Sequence, residues 1–227
     1  MKIKFGMIVT DGVNKIGGHV ISSNHYGRYA RTLVIPNNPQ TTPQQDRRAA
    51  QAFLTSNWKN LTLDQQNLWI DETNNYPRTD ALGNTYYLTG QTLYISLNLN
   101  LWRIGEPYIT SPVTKRIPDS WGRASIDLVG PDTKFQINLD AEGSDTLCKI
   151  LLFASPSVSP GKFYCSTLRR SFAVVAQATT LTYDVLSDFL GLGYHVTTGQ
   201  KIFIKAQPID TLSGCAGVPD FYSAIVI

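Results

Sequence analysis

The sequence predicts an α+β fold in which a β-rich basic arm (residues 1–35) precedes a small helical domain (36–105) and a β-sandwich domain (122–227), with residues 106–121 as a linker. Three observations support this prediction. The arm consists of glycine-rich, short runs of β-branched and aromatic residues. Apolar residues then recur at three- and four-residue steps, as in helices. After a proline-rich stretch, short strand patterns recur with turns between them.

The arm contains three strand patterns, Met7–Thr10, His19–Ser22 and Tyr29–Ile35, which are rich in β-branched or aromatic residues. Turn signals that contain glycine separate them. A ribbon of two or three short strands is marginal by itself. We therefore expect the arm to lie against the helices or against another subunit.

Two capping signals mark a helical hairpin after the arm. Thr42 precedes Pro43 and is followed three residues later by Gln45, and Thr62 stands at the same distance from Gln65, so each threonine can form a capping box. Apolar residues at helical spacing predict the facing stripes of the hairpin. They are Ala50, Phe53, Leu54, Trp58 and Leu61 on the first helix, and Leu68, Trp69 and Tyr76 on and after the second.

The segment after Gly90 fits two periods. Strict alternation of Leu93, Ile95, Leu97, Leu99 and Leu101 favours a strand, whereas Tyr94, Leu97, Leu101 and Ile104 lie at helical steps. A run of about fourteen residues is long for a strand and ordinary for a helix. Gly105 and Pro107 also form a normal helix stop. We predict a helix here.

Seven strand patterns follow the proline-rich stretch. They are Ala124–Val129, Lys134–Leu139, Leu147–Ala154, Ser171–Ala176, Thr179–Val185, Lys201–Gln207 and Tyr222–Ile227. Seven short strands in a domain of about 100 residues are typical of an immunoglobulin- or fibronectin-like β-sandwich. The spacing of cysteine and tryptophan that marks true immunoglobulin domains is absent, so the sequence predicts the architecture and not the superfamily.

The chain shows no local motif of catalysis, metal binding or cofactor binding. It has three histidines, and no Gly-x-Ser-x-Gly elbow or pair of His or Cys residues at ligand spacing occurs. We therefore predict a protein that is not an enzyme and that uses neither metal nor cofactor. The cysteines, Cys148, Cys165 and Cys215, are odd in number and far apart, so we expect reduced and mostly buried thiols. The first residues lack the pattern of a signal peptide, and no stretch is apolar for long enough to span a bilayer, so no membrane partner is predicted.

Positive charge is concentrated near the N-terminus. Residues 1–48 contain seven of the 20 basic residues and only two of the 17 acidic residues. Arginine, tyrosine and tryptophan are the residue types that anchor protein interfaces. The predicted partner-binding residues are Arg28, Tyr29, Arg31, Arg47, Arg48 and Trp58. Cations interleaved with aromatic residues also suit single-stranded nucleic acid, so nucleic acid is the less favoured partner.

Four motifs occur in a fixed order: G-G-H-V-x-S-x-N-H-Y-G-R-Y-A-R, N-P-Q-T-T-P-Q-Q-x-x-R, S-N-W-K-N-L-T-x-x-Q-Q-x-x-W and L-T-G-Q-T-L-Y. This order resembles that of a group of mostly uncharacterised proteins from tailed bacteriophages and prophages, over about residues 5–107, in which a fibronectin-like β-domain often follows. Asn67 is a departure, because such sequences often have further basic residues near this position. The residues that carry the resemblance are Gly17, Gly18, Gly27, Arg28, Tyr29, Arg31, Pro39, Pro43, Gln44, Trp58, Leu61, Thr62, Gln65 and Trp69.

The resemblance implies a structural component of a tailed phage virion, made in the cytoplasm of the bacterial host. We expect a capsid-associated head protein that attaches through its N-terminal half to other virion proteins, in several copies per particle. The resemblance supplies no catalytic residue.

Three alternatives stay open. The first is a component of the phage tail or connector. The second is a nucleic-acid-binding protein that uses the basic arm. The third is a carbohydrate-binding module, in which exposed aromatic side chains of the C-terminal sandwich stack on sugars.

Overall fold

A computed structural model describes residues 14–24, 27–35, 38–118, 124–139, 147–165, 170–176 and 182–227. The chain divides into two compact units, Met1–Gln45 and Asp46–Ile227. Helices and several antiparallel sheets are both present, so the predicted α+β class is confirmed.

The described part of the first unit contains an antiparallel three-stranded sheet. Its strands, β1 (Asn14–Ile16), β2 (His19–Asn24) and β3 (Gly27–Thr32), pair in chain order. Gly17 adopts a φ of +56° in the tight turn between β1 and β2, where the left-handed backbone favours glycine. A sheet is thus present in the predicted arm, although β3 ends three residues before the predicted end at Ile35.

The predicted strand Met7–Thr10 lies outside the described residues.

Three longer helices follow. They are α1 (Thr42–Asn60), α2 (Leu63–Glu72) and α3 (Gly90–Arg103). A 3-10 turn (Thr73–Asn75) extends α2, and a two-stranded ribbon, β4 (Arg78–Thr79) with β5 (Thr85–Tyr86), separates α2 from α3. The helical reading of the ambiguous segment after Gly90 is confirmed, and Gly105 follows α3 with a φ of +73°.

The capping box of α2 is confirmed. The Thr62 hydroxyl accepts a hydrogen bond from the Gln65 N–H at 3.2 Å, and the Gln65 side chain accepts one from the Thr62 N–H at 3.0 Å. The predicted cap of α1 is displaced by one residue. The N–H groups of Gln44 and Gln45 bond to the carbonyl of Thr41, so Thr42 is already helical. Two consecutive threonines offer the same side chain to the helix start, and their sequence does not distinguish them.

The helices enclose a core of aromatic and aliphatic side chains. Its buried members are Leu54, Trp69, Leu93, Tyr94, Leu97 and Cys215. The Tyr94 ring lies 5.6 Å from the Trp58 ring and 5.4 Å from the Trp69 ring between centroids. Phe53 and Leu68, which the periodicity assigned to the facing stripes, are each 51% exposed. A helix buries only the part of its apolar stripe that its neighbours cover, and here Leu54 and Trp69 occupy the covered positions.

Seven strands follow and form two antiparallel sheets. The strands are β6 (Ala124–Val129), β7 (Lys134–Leu139), β8 (Cys148–Ala154), β9 (Arg170–Ala176), β10 (Thr182–Asp184), β11 (Lys201–Asp210) and β12 (Asp220–Ile225). Each predicted strand overlaps one of them. The strand orders are β10-β7-β6 and β12-β11-β8-β9. Both sheets, together with Phe189 of the short helix α4 (Leu186–Gly191), contribute to one hydrophobic cluster.

Helix α3 packs on the opposite face of the four-stranded sheet. Leu101 and Ile104, at the end of α3, form a buried cluster with Leu151, Phe153 and Ile209 of β8 and β11. These strand residues alternate with those that face the other sheet, as a pleated strand requires. The second compact unit therefore contains both the helices and the sandwich sheets. The sequence predicted a helical domain that ends at residue 105, a linker over residues 106–121 and a separate β-sandwich domain from residue 122.

The described part of the predicted linker, residues 106–118, contacts both the helices and the sheet. The Asn98 side chain of α3 is buried and bonds to both the N–H and the carbonyl of Ile109. The Trp69 indole N–H donates to the carbonyl of Thr110 at 2.9 Å. Arg116 forms an ion pair at 3.0 Å with Asp210, which is fully buried at the end of β11. A proline-rich stretch without periodicity thus lies in the middle of the packed unit.

We expect Leu101→Ala to lower the free energy of unfolding by about 2–5 kcal/mol, because it removes a fully buried side chain from the cluster between α3 and the sheet. Leu68→Ala is the matched control, and we expect it to change stability by about 0.5 kcal/mol or less, because Leu68 is half exposed. Urea unfolding of the full chain, followed by circular dichroism, measures both values. Equal effects of the two substitutions would contradict the shared core.

Candidate functional site

The predicted arm residues lie on strand β3. Arg28 and Tyr29 are half-buried and Arg31 is exposed. Arg28 pairs in register with Ser23, and Arg31 pairs with Val20 of β2. Successive strand residues point to opposite faces, so Tyr29 and Arg31 share one face and Arg28 lies on the other. The sheet thus brings two of the three predicted residues together.

The other three predicted residues lie on α1 and differ in their exposure. Arg47 and Arg48 are exposed. Trp58 is half-buried and packs against Tyr94, so its ring belongs to the core of the helices. The structure therefore does not group Trp58 with the exposed arginines of α1.

An apolar groove lies between α1, α3 and the chain that follows α3. Its volume is about 360 Å³. Three aromatic side chains line it and remain exposed: Phe53 (51%), Trp102 (43%) and Tyr108 (48%). The Phe53 and Tyr108 rings meet edge to face, with centroids 5.5 Å apart. We refer to this feature as the aromatic groove.

A smaller polar cleft adjoins the aromatic groove, because Trp102 lines both. Its volume is about 100 Å³, and Arg47, Ser96, Asn100 and Arg103 are among its lining residues. Arg47, which the sequence predicted as a partner-binding residue, thus lies at this cleft with an arginine of α3. We refer to this feature as the basic cleft.

Arg47 and Arg103 line the basic cleft, and a third cation, Lys205, lies near Arg103. Burial and the charge of Arg47 lower the pKa of the Arg103 guanidinium. Burial and the charge of Arg103 likewise lower the pKa of the Lys205 ammonium. The Arg103 guanidinium and the Lys205 ammonium both lie over the ring of Phe153, at 5.9 Å and 5.1 Å from its centroid. The repulsion between like charges is thus partly offset by the π face of a phenylalanine.

The sequence predicted neither Arg103 nor Lys205 as a site residue. Arg47, Arg103 and Lys205 come from α1, α3 and β11, and no local motif connects positions so far apart. The aromatic groove was missed for a related reason. Phe53 was assigned to a packed stripe, and Tyr108 to a linker.

The buried polar groups near Asp210 have a structural role. Asp210 accepts hydrogen bonds from the N–H and the hydroxyl of Ser213, at 2.7 and 2.6 Å. Nearby, the Tyr76 hydroxyl lies 2.9 Å from the Cys215 sulfur, and burial together with this contact raises the pKa of Tyr76. None of the three cysteines forms a disulfide, and Cys148 and Cys215 are buried, as predicted.

His195 joins two loops of the sandwich. Its Nδ1 lies 2.7 Å from an oxygen of Asp132, whose other oxygen accepts the N–H of Val196 at 2.6 Å. Ser157 donates its hydroxyl to the His195 carbonyl and not to the imidazole. The Asp132 and His195 side chains could transfer a proton, but the Ser157 hydroxyl is not placed for activation by the ring. This arrangement is suited to holding the loops.

Within the described ranges, no three His, Cys, Asp or Glu side chains converge as a metal site would require. None of the helices in the described part of the chain combines the length and apolar character needed to cross a bilayer. Comparison with known proteins found no matching family model, no matching curated protein and no matching solved structure.

We expect Asp132→Asn to remove a pH-dependent part of the stability. The hydrogen bond with His195 and that from Val196 lower the pKa of Asp132 in the folded chain. Its contribution is therefore present above the unfolded-state pKa of about 4 and is lost as the pH falls through the lower folded value. The difference in melting temperature between the parent protein and the variant should shrink as the pH is lowered from 5 to 3.

Asp71→Asn serves as the control, because Asp71 is exposed and its carboxylate makes no hydrogen bond within the described residues. Thermal melts by circular dichroism at matched ionic strength give the comparison. A constant difference between the parent protein and Asp132→Asn over this pH range would show that the carboxylate charge does not hold the loops.

Proposed function

We propose that this protein is a structural component of a tailed bacteriophage virion, capsid-associated and attached through its N-terminal half to other virion proteins. The proposal starts from the motif resemblance over residues 5–107. The low burial of the side chains in the first compact unit supports the proposal. Between positions 14 and 45, none of the residues whose burial the structure describes is buried, and Val34 and Ile35, which follow β3, are 72% and 83% exposed.

A three-stranded sheet whose apolar side chains are only half-buried gains little from the hydrophobic effect. The described side chains of β2 and β3 that could supply a core, such as Val20, Ile21 and Tyr29, reach only partial burial. Covering one face of such a sheet with a neighbouring protein would complete their burial. On this proposal, docking onto a larger assembly stabilises the sheet of the arm.

The charge of the arm indicates the chemistry of its partner. Lys15, Arg28 and Arg31 are the charged residues between positions 14 and 45, and no acidic residue lies there. An acidic surface would attract this segment over several ångströms. Tyr29 on the same face as Arg31 favours a protein surface, since these residue types anchor protein interfaces. We propose other virion proteins as partners, with several copies of the chain per particle.

We also propose that the two sandwich sheets form a fibronectin-like domain. Three strands pair as β6-β7-β10 and four as β9-β8-β11-β12. In the constant immunoglobulin arrangement, the fourth of the seven strands joins the sheet of the first, second and fifth. Here the fourth strand, β9, pairs instead with the third, β8. This order supports the fibronectin part of the prediction over the immunoglobulin part.

We expect deletion of residues 1–35 to abolish incorporation into phage particles, because it removes the strands that docking would cover. A phage that lacks the gene is complemented in its host with the full or the shortened chain. Particles are then purified on a density gradient, and the chain is quantified by immunoblot. The double variant Tyr29→Ser and Arg31→Gln should reduce incorporation, whereas Arg170→Gln, at an exposed position of β9, should not.

Full occupancy of particles by the shortened chain would overturn attachment through the arm. Absence of the full-length chain from purified particles would overturn the virion role itself. Immunogold labelling of the particles then distinguishes a head protein from a tail protein. Label on the head supports a capsid-associated protein. Label confined to the tail would overturn this position and support a tail component.

A further inference from the structure

The aromatic groove and the basic cleft are neighbours, because Trp102 lines both. The groove is apolar and includes Phe53, Pro107 and Tyr108. The cleft carries Arg47 and Arg103, with Lys205 next to Arg103. All of these residues belong to the second compact unit. A ligand that fills this surface would therefore need an apolar part and a negatively charged part side by side.

The three cations have no carboxylate partner among the described residues. Within the described residues, the ion pairs of this unit include Arg116 with Asp210, Lys134 with Asp127, Lys149 with Glu106 and His195 with Asp132, and none of these acids pairs with the three cations. Glu106 is the acid on the groove wall, and its charge is already balanced by the Lys149 ammonium at 2.7 Å. Arg47 and Arg103 line the same cleft, and Arg103 and Lys205 both lie over the ring of Phe153, so these like charges repel one another. An anionic ligand would relieve that repulsion.

We propose that this surface binds an acidic peptide segment of another protein, with an apolar side chain in the aromatic groove and carboxylates at the basic cleft. Exposed aromatic side chains around a groove are the usual receptors for a peptide's apolar anchor. Arginine pairs well with carboxylates, since its planar fork can donate two parallel hydrogen bonds.

A peptide fits this surface better than a nucleic acid does. A nucleic-acid strand carries one negative charge per nucleotide, and its binding sites follow the backbone with a basic track. Here the cations form one compact group, and the groove beside them carries a carboxylate, that of Glu106. A segment with negative charge at one end alone matches this distribution. The inference does not rest on the proposed virion role, because it concerns residues outside the arm.

Fluorescence anisotropy with three synthetic peptides tests this inference on the full chain. The first peptide, labelled with fluorescein, is Gly-Ser-Leu-Trp-Gly-Asp-Glu-Asp-Ser-Gly. The second replaces Asp-Glu-Asp by Asn-Gln-Asn, and the third replaces Leu-Trp by Ser-Ser. We expect saturable binding of the first peptide, weaker binding of the other two, and an affinity that falls as sodium chloride is raised.

Variants locate the binding on the protein. Arg47→Gln and Arg103→Gln should each weaken binding of the acidic peptide about two- to fivefold, as expected for a partly exposed ion pair. Trp102→Ala should weaken binding of the acidic and the neutral peptide alike, because it removes apolar contact area. The matched controls are Lys59→Gln, an exposed cation at the end of α1, and Tyr87→Ala, an aromatic residue that is 55% exposed outside the groove. Neither control should change the affinity.

Several results would overturn the inference. One is failure of the acidic peptide to saturate the protein up to about 1 mM, the limit of weak but specific binding. Another is an affinity that Arg47→Gln, Arg103→Gln and Trp102→Ala leave unchanged while their thermal melts match the parent. A third is tighter binding of a labelled twelve-nucleotide thymidine strand in competition with the peptide, which would assign the surface to nucleic acid. Removal of residues 1–35 should leave peptide binding intact, so this test is separate from that of the virion role.

Discussion

The second unit depends on the close contact between helix α3 and the loop that follows strand β11. Gly214 of this loop has a φ of +71°, and a Cβ atom there would collide with the carbonyl of Leu97 and the side chain of Leu101. Asn100 donates its side-chain amide to the Gly214 carbonyl at 3.0 Å. The backbone of the loop can approach α3 this closely only because residue 214 is a glycine. The contact places Leu101 and Ile104 on the sheet, and thereby also fixes where Trp102 and Arg103 emerge.

The two compact units differ in how far their own side-chain packing can stabilise them. The second unit has buried clusters on both faces of its four-stranded sheet, and its buried polar residues, such as Asn98 and Asp210, have hydrogen-bond partners. In the first unit, the strand side chains whose burial the structure describes, such as Val20, Ile21 and Tyr29, are at most half-buried. Backbone pairing alone adds little net stability in water. This contrast is the physical basis for proposing that the arm, and not the sandwich, makes the attachment.

Local patterns in the sequence predicted most of the elements. The Thr62 capping box, the helix after Gly90 and the positions of the described strands in the two C-terminal sheets depend on neighbours a few residues apart, which the sequence displays directly. The packing of the helices against the sheet depends on contacts between distant residues. The segment around Ile109 therefore looked like a linker, although Asn98 holds it in the packed unit.

The candidate surface could be predicted only in part, for the same reason. Arg47 was selected because positive charge is concentrated near the N-terminus. Its neighbours Arg103 and Lys205 carry no such signal, since only the packing of α3 on β11 brings them together. Phe53 has the spacing of a core residue, and its exposure depends on which side of α1 the helix α3 covers.

The contacts of Phe153 restrict which residue types can occupy this position of β8. Its ring presents the negative face of a quadrupole to two cations, Arg103 and Lys205. A leucine would fill a similar volume but has no π electrons to attract either charge. An aromatic ring of similar size should thus be required at this buried position, whereas an aliphatic residue would leave two neighbouring positive charges without the attraction of a π face.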